Sequence, residues 1–129
     1  MAEKHVIRTE RAPGPFQGAP YNQAIRVGDL VFVAGQLGVS LESGELAGTG
    51  VAEQTEQVMQ NMAAILEAAG SGLDRLVKTT VFLVDLADFG AMNEVYAAHV
   101  GDRPPARSTV EVAGLPSGAL VEIEAIAHV

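Results

Sequence analysis

The chain has 129 residues, 48% of them hydrophobic, and sets 16 acidic against 8 basic side chains for a net charge of −8. That length fits a single domain with a buried core, and the acidity, with only two Tyr and four Phe to stack bases, argues against nucleic acid as a ligand. Cysteine is absent, which excludes disulfides, thiolate nucleophiles and Cys-ligated zinc or iron–sulfur sites.

The opening MAEKHVIRTERAPG carries charges where a signal peptide needs an apolar core. No window approaches the roughly 18 apolar residues of a membrane span. A soluble, cytoplasmic protein with no membrane partner is expected. His5 to Arg8 reads as a short strand, and the Pro- and Gly-rich APGPFQGAPYNQ after it can continue neither a helix nor a central strand. Ala24 to Val27 and Leu30 to Ala34 read as a hairpin closed by Gly28-Asp29. After the polar SLESGELAGTG, the run VAEQTEQVMQNMAAILEAAG puts Val51, Val58, Met62, Ile65, Leu66 and Ala69 on one helical stripe. Thr49 can cap its start and Gly70 its end. Leu76 to Asp85 is a strand. Asp88 to Val100 is a shorter helix with Phe89, Met92, Val95, Tyr96 and Val100 inward. The strands Arg107 to Val112 and Leu120 to Ala127 flank a GLPSG turn. With no repeat and no interior linker, residues 1–129 are expected to form one domain.

The strand VKTTVFLVD is apolar on both sides, with Val77, Val81 and Leu83 on one face and Phe82 and Val84 on the other. Two helices can cover only one of these faces. The other is expected to be buried against further copies of the chain, the alternative being that the N-terminal segment folds across it.

Function points to PPARSTVEVAGLPSGALVEIEAIA, which sets Arg107 against Glu122 and Glu124 on neighbouring strand-like segments. A guanidinium held on a strand grips a carboxylate with two parallel hydrogen bonds, and an acid beside it can move protons. The other reading is that Arg107 only neutralises surplus acid.

In seven ordered blocks the chain resembles the RidA family, also called YjgF or reactive-intermediate deaminase. They are PYNQA (20–24), AGQ (34–36), QTEQVMQN (54–61), VKTTVFLVD (77–85), DFGAMNEVY (88–96), PPARSTVEVAGLP (104–116) and VEIEAIA (121–127). The resemblance implies a chorismate-mutase-like α+β fold, a mixed sheet with two helices on one face, and a homotrimer with active sites between subunits. It implies hydrolysis of enamines and imines, such as 2-aminoacrylate and 2-iminopropanoate, to 2-keto acids and ammonia, with no metal or cofactor. Such species are released by pyridoxal-phosphate enzymes.

Carried over by position, Arg107 binds the substrate carboxylate, Glu122 positions water, and Tyr21, Asn93 and the Gly35 backbone belong to the pocket. Thr109 stands where many members have cysteine and offers its backbone to the attacking water; Glu124 is secondary. The loop before Tyr21 is about two residues longer than the family's usual pattern.

A 2-imino acid anchored through its carboxylate presents its electrophilic carbon to a bound water, so orientation does much of the work. Glu122 would add on the order of 10² to 10⁴ in rate as general acid/base. His5, His99 and His128 show no metal-ligand or nucleophile spacing and read as surface or interface residues. Gly48-x-Gly50 and Gly70-x-Gly72 lack the rest of a phosphate loop, and Ser108 and Thr109 have no partnered histidine in sequence. Two alternatives remain: a regulatory trimer that binds a small carboxylate without catalysis, and the ribonuclease or translation-inhibitor role of some relatives, against which the acidity argues.

Overall fold

A computed structural model describes residues 3–129. Strands β1 (Lys4–Ile7), β2 (Ala24–Val27) and β3 (Leu30–Leu37) come first, followed by helix α1 (Val51–Ala68), β4 (Leu76–Leu83), α2 (Phe89–Val100), β5 (Ala106–Glu111) and β6 (Val121–His128). All six strands share one sheet in the order β1-β2-β3-β6-β4-β5. β4 and β5 run parallel, with α2 as the long crossover that parallel neighbours require, while the other pairs are antiparallel. The last strand in sequence therefore lies in the middle of the sheet.

Local chemistry accounts for most boundaries. Val27 pairs with Leu30 across a two-residue turn whose first residue, Gly28, takes φ +58°. The apolar stripe of α1 is buried as expected, and Met59, Gln54, Thr55 and Asn61 widen it. Its C-terminus closes in a Schellman motif: Gly70 takes φ +82°, its N–H donates to Glu67 O at 3.1 Å, and Ser71 N–H donates to Leu66 O at 2.8 Å. The start differs from expectation, since Gly50 rather than Thr49 is the N-cap and no side chain caps it. The carboxylate of Glu53 folds back over Gly50 instead, so that a Cβ there would meet its Oε1 at 2.6 Å. A negative charge in the first turn suits the helix dipole.

Helix α1 sits directly on β3. A Cβ at Gly38 would lie 2.5 Å from the Gln54 carbonyl oxygen and 2.8 Å from its Cα, which is backbone and cannot swing aside. Gly38→Ala is expected to cost about 1–3 kcal/mol by forcing the helix off the sheet. An unchanged melting temperature would show that α1 can slide to make room.

Leu76, Thr79, Val81 and Leu83 of β4 and Val121, Ile123, Ala125 and Ala127 of β6 are buried on the helix side. Val77 departs from the expected alternation. A register shift between Leu76 and Lys78 takes it out of the period, leaves it exposed, and lets Leu76 fill the helix side. Phe89 also departs, lying exposed at the start of α2 while Met92, Tyr96 and Val100 are buried.

The opposite face is open. β1 pairs along the edge of β2 and does not fold across it, so Val6 (46% exposed), Phe32 (42%) and Val110 (42%) remain uncovered in the single chain. Among the described residues no helix is long and apolar enough to cross a membrane.

Candidate active site

A cavity of about 610 Å³ opens at one end of the sheet, beneath the loop that precedes β2. Tyr21, Gly35 and Glu122 all line it. Pairing between β3 and β6 is interrupted between Val33 and Gln36, and Ala34 N–H turns away to donate to Gln23 O at 2.9 Å. That bulge brings Gly35 beside Glu122, where a Cβ would stand 2.8 Å from the carboxyl Cδ. Only glycine leaves the carboxylate in place. Burial, and secondarily the charge of Glu124 two residues on, push the Glu122 carboxyl above its ordinary 4.5. Tyr21 Oη accepts a hydrogen bond from Phe16 N–H at 2.6 Å, which ties it to its own loop and leaves the phenolic proton free to donate.

Arg107, Asn93 and Thr109 lie elsewhere. Arg107 projects from β5 toward α2, with its Cζ 4.9 Å from the Tyr96 ring centroid and 5.4 Å from that of Phe89. Two aromatic rings thus hold the guanidinium by cation–π attraction. It makes no ion pair among the described residues. Tyr96 is itself fixed, its hydroxyl 2.7 Å from Thr79 Oγ1, and burial raises its phenol above the usual range. Asn93 shares the helix face that carries Phe89 and Tyr96. Its Oδ1 and the Oγ1 of Thr109 are buried without a hydrogen-bond partner, a costly state that points to groups still to be met.

The two sets of residues face opposite ways, which corrects the expectation that Arg107 and Glu122 stand on neighbouring strands. Arg107 pairs with Thr79 and Thr109 with Val81, both buried beneath the helices. Glu122 pairs with Phe82, and Glu124 with Thr80, on the open face. β4 lies between β5 and β6, a lateral separation of about 10 Å across two strand spacings. No side-chain rotation carries Arg107 into the Glu122 cavity of its own chain. Each chain therefore displays its candidate residues as two separate groups on opposite faces of the sheet.

Residues 9–129 match the family model described as Endoribonuclease L-PSP. The chain belongs to this family. A RutC family protein from Pyrococcus abyssi is 51% identical over 97% of this chain and 97% of its own length. A 2-iminobutanoate/2-iminopropanoate deaminase from Homo sapiens is 44% identical over 96% of this chain and 89% of its own. The crystal structure of RidA from the Antarctic bacterium Psychrobacter sp. PAMC 21119 matches with TM-score 0.92 and 45% identity, covering 97% of this chain and 99% of that one.

The chain also contains cavity-lining residues that the sequence pattern did not single out. Gln23, 4% exposed, clamps the loop over the cavity: its Oε1 accepts from Thr9 N–H at 2.7 Å, and its Nε2 lies 3.1, 3.1 and 2.9 Å from the carbonyls of Thr9, Ala12 and Pro13. A glutamine between a tyrosine and an apolar strand start was the available signal. Gln17 and Ser117 both line the cavity with positive φ, +53° and +60°, where side chains are strained. Each is followed by a glycine also at positive φ, the sequence trace being QGA in one turn and SGA in the other. The histidines stay outside the site: His5 and His128 are exposed, and His99 Nε2 pairs with Glu56 Oε1 at 2.9 Å. Among the described residues no group of three or more His, Asp or Glu side chains could hold a metal ion.

Proposed function

We propose that the chain hydrolyses 2-imino acids and their enamine tautomers to 2-keto acids and ammonia, in a site that two copies of the chain build together. The observation that supports this reading best is the division of its functional groups: an aromatic-braced Arg107 without an anion on one face, and a cavity with a raised-pKa Glu122 on the other. Arg107 binds the substrate carboxylate bidentately, with Asn93 and Thr109 meeting its polar neighbours. Glu122 of the adjoining copy takes a proton from water as the C–O bond forms. It returns that proton to nitrogen to give the carbinolamine, and then passes the hydroxyl proton to nitrogen as the C=O bond forms, the C–N bond breaks and ammonia leaves. A carboxyl whose pKa is lifted toward the working pH can act in both directions. Tyr21 donates a hydrogen bond to the substrate through its free phenolic O–H.

The assembly we propose is a homotrimer. The open face, with Phe32 and Val110 uncovered, is the surface a second copy would bury. Such imines decay near where they form, and the location we propose is the cytoplasm, with pyridoxal-phosphate enzymes that release them. The family model carries an endoribonuclease name, but a net charge of −8 argues against an electrostatic hold on an RNA backbone.

The direct test is release of ammonia or keto acid from imines generated in situ by an amino acid oxidase or a serine dehydratase. The purified protein should accelerate it, and an unchanged rate across several precursors would leave only carboxylate binding. In the same assay Arg107→Lys, folding normally, is expected to lose about 10- to 100-fold in kcat/KM, the worth of one charge-assisted hydrogen bond. Near-parental turnover would remove Arg107 from the mechanism.

A further inference from the structure

In the single chain, before an adjoining copy closes over it, the cavity around Glu122 is larger than a three-carbon imino acid needs. Its volume of about 610 Å³ falls among sites that hold drug-sized ligands. Pro15, Phe16, Leu37, Val39 and Pro116 make its apolar wall. Phe16 is the largest of these and stays 37% exposed, an aromatic side chain with no apolar partner of its own to cover it fully.

That wall is held rigidly. Gln23 fixes the arm of the loop from Thr9 to Pro13, and the Tyr21 hydroxyl fixes the Phe16 backbone from the other side. Between them, Ala19 N–H donates to Phe16 O at 3.0 Å and closes a turn with Gln17 and Gly18 both at positive φ. A loop tied at three points presents a fixed surface to whatever binds beside Glu122. A fixed apolar surface favours a ligand that covers it, since burying one additional methylene there is worth 10-fold or more in discrimination.

We infer that this wall selects 2-imino acids bearing branched-aliphatic or aromatic side chains over 2-iminopropanoate, with Phe16 as the residue that sets the preference. The inference rests on the deaminase reading and adds the substrate class. The reaction is unchanged: water supplies the oxygen of the new keto group, and the imine nitrogen leaves as ammonia. What differs is the group carried on the same carbon, which in this proposal lies against Phe16, a residue lining the same cavity as Glu122.

The test generates imines in situ from alanine, leucine and phenylalanine with amino acid oxidases and compares kcat/KM for each on the intact assembly. The leucine- and phenylalanine-derived imines are expected to exceed the alanine-derived one by about 10-fold or more. Phe16→Ala should shrink that ratio about 10-fold by loss on the larger substrates, and Phe16→Leu should keep most of it. Hydrolysis of all three imines with no preference, or a ratio that Phe16→Ala leaves intact, overturns the inference while the deaminase reading stands. Hydrolysis of none overturns both.

Discussion

Two crippled variants, Arg107→Lys and Glu122→Gln, are expected to restore activity when co-assembled in the proposed trimer. The expectation follows from the opposite faces on which the sheet displays them, Arg107 in register with buried Thr79 and Glu122 in register with Phe82. If each site takes its arginine from one chain and its glutamate from the next, then going round any mixed ring exactly one junction unites two intact residues. About one third of parental activity returns, whichever variant is in the majority. Homotrimers of either variant have no such junction. Co-expression with two different affinity tags and sequential purification would isolate the mixed assemblies. Activity no higher than that of the parent variants would place both residues in one chain's site, contrary to the topology.

That topology is also where sequence reasoning stopped. Within an element, side-chain direction follows from a short period, so the buried Val121, Ile123 and Ala125 and the outward Glu122 and Glu124 of β6 could be read from alternation alone. The stripe on α1 was legible for the same reason. Sheet order is a different matter, because it depends on pairings between distant segments. Nothing local says that β6, arriving straight after β5, passes beyond β4 to lie against β3. Proximity in sequence suggested that Arg107 and Glu122 meet, and the intervening strand separates them. Val77 failed in a related way, since one extra residue in a bulge resets the period without a glycine or proline to announce it. Gln23 was missed because its four partners are backbone atoms, which no residue pattern displays. The rings that brace Arg107 were visible as apolar helix positions, and core packing is the ordinary fate of such positions. What set Phe89 apart was its exposure, a property only the fold reveals.

Glu122→Gln is expected to lower kcat by about 10² to 10⁴, the usual share of a general acid/base, and at the same time to raise the melting temperature at neutral pH. The second effect follows from the first residue's environment. Burial, then repulsion from Glu124, raises the Glu122 carboxyl above 4.5, so folding favours its protonated form over its ionised one. A group whose folded pKa exceeds its unfolded one contributes stability that is present below the unfolded value and lost as pH rises through the folded value. At pH 7 the ionised carboxylate therefore works against folding, and a neutral amide of the same shape relieves it. The stability difference between the two proteins should shrink as pH falls toward 4, where the parent's carboxyl is protonated too. Catalysis should carry the same signature. If ionised Glu122 accepts the proton from water, the acid limb of the kcat/KM profile lies above the ordinary carboxylate range, and Glu124→Gln moves it to lower pH by removing the smaller of the two causes. A variant at Glu122 with parental kcat and a lower melting temperature would make the residue a structural acid. Loss of activity with an acid limb that ignores Glu124 would assign the proton transfer to another group.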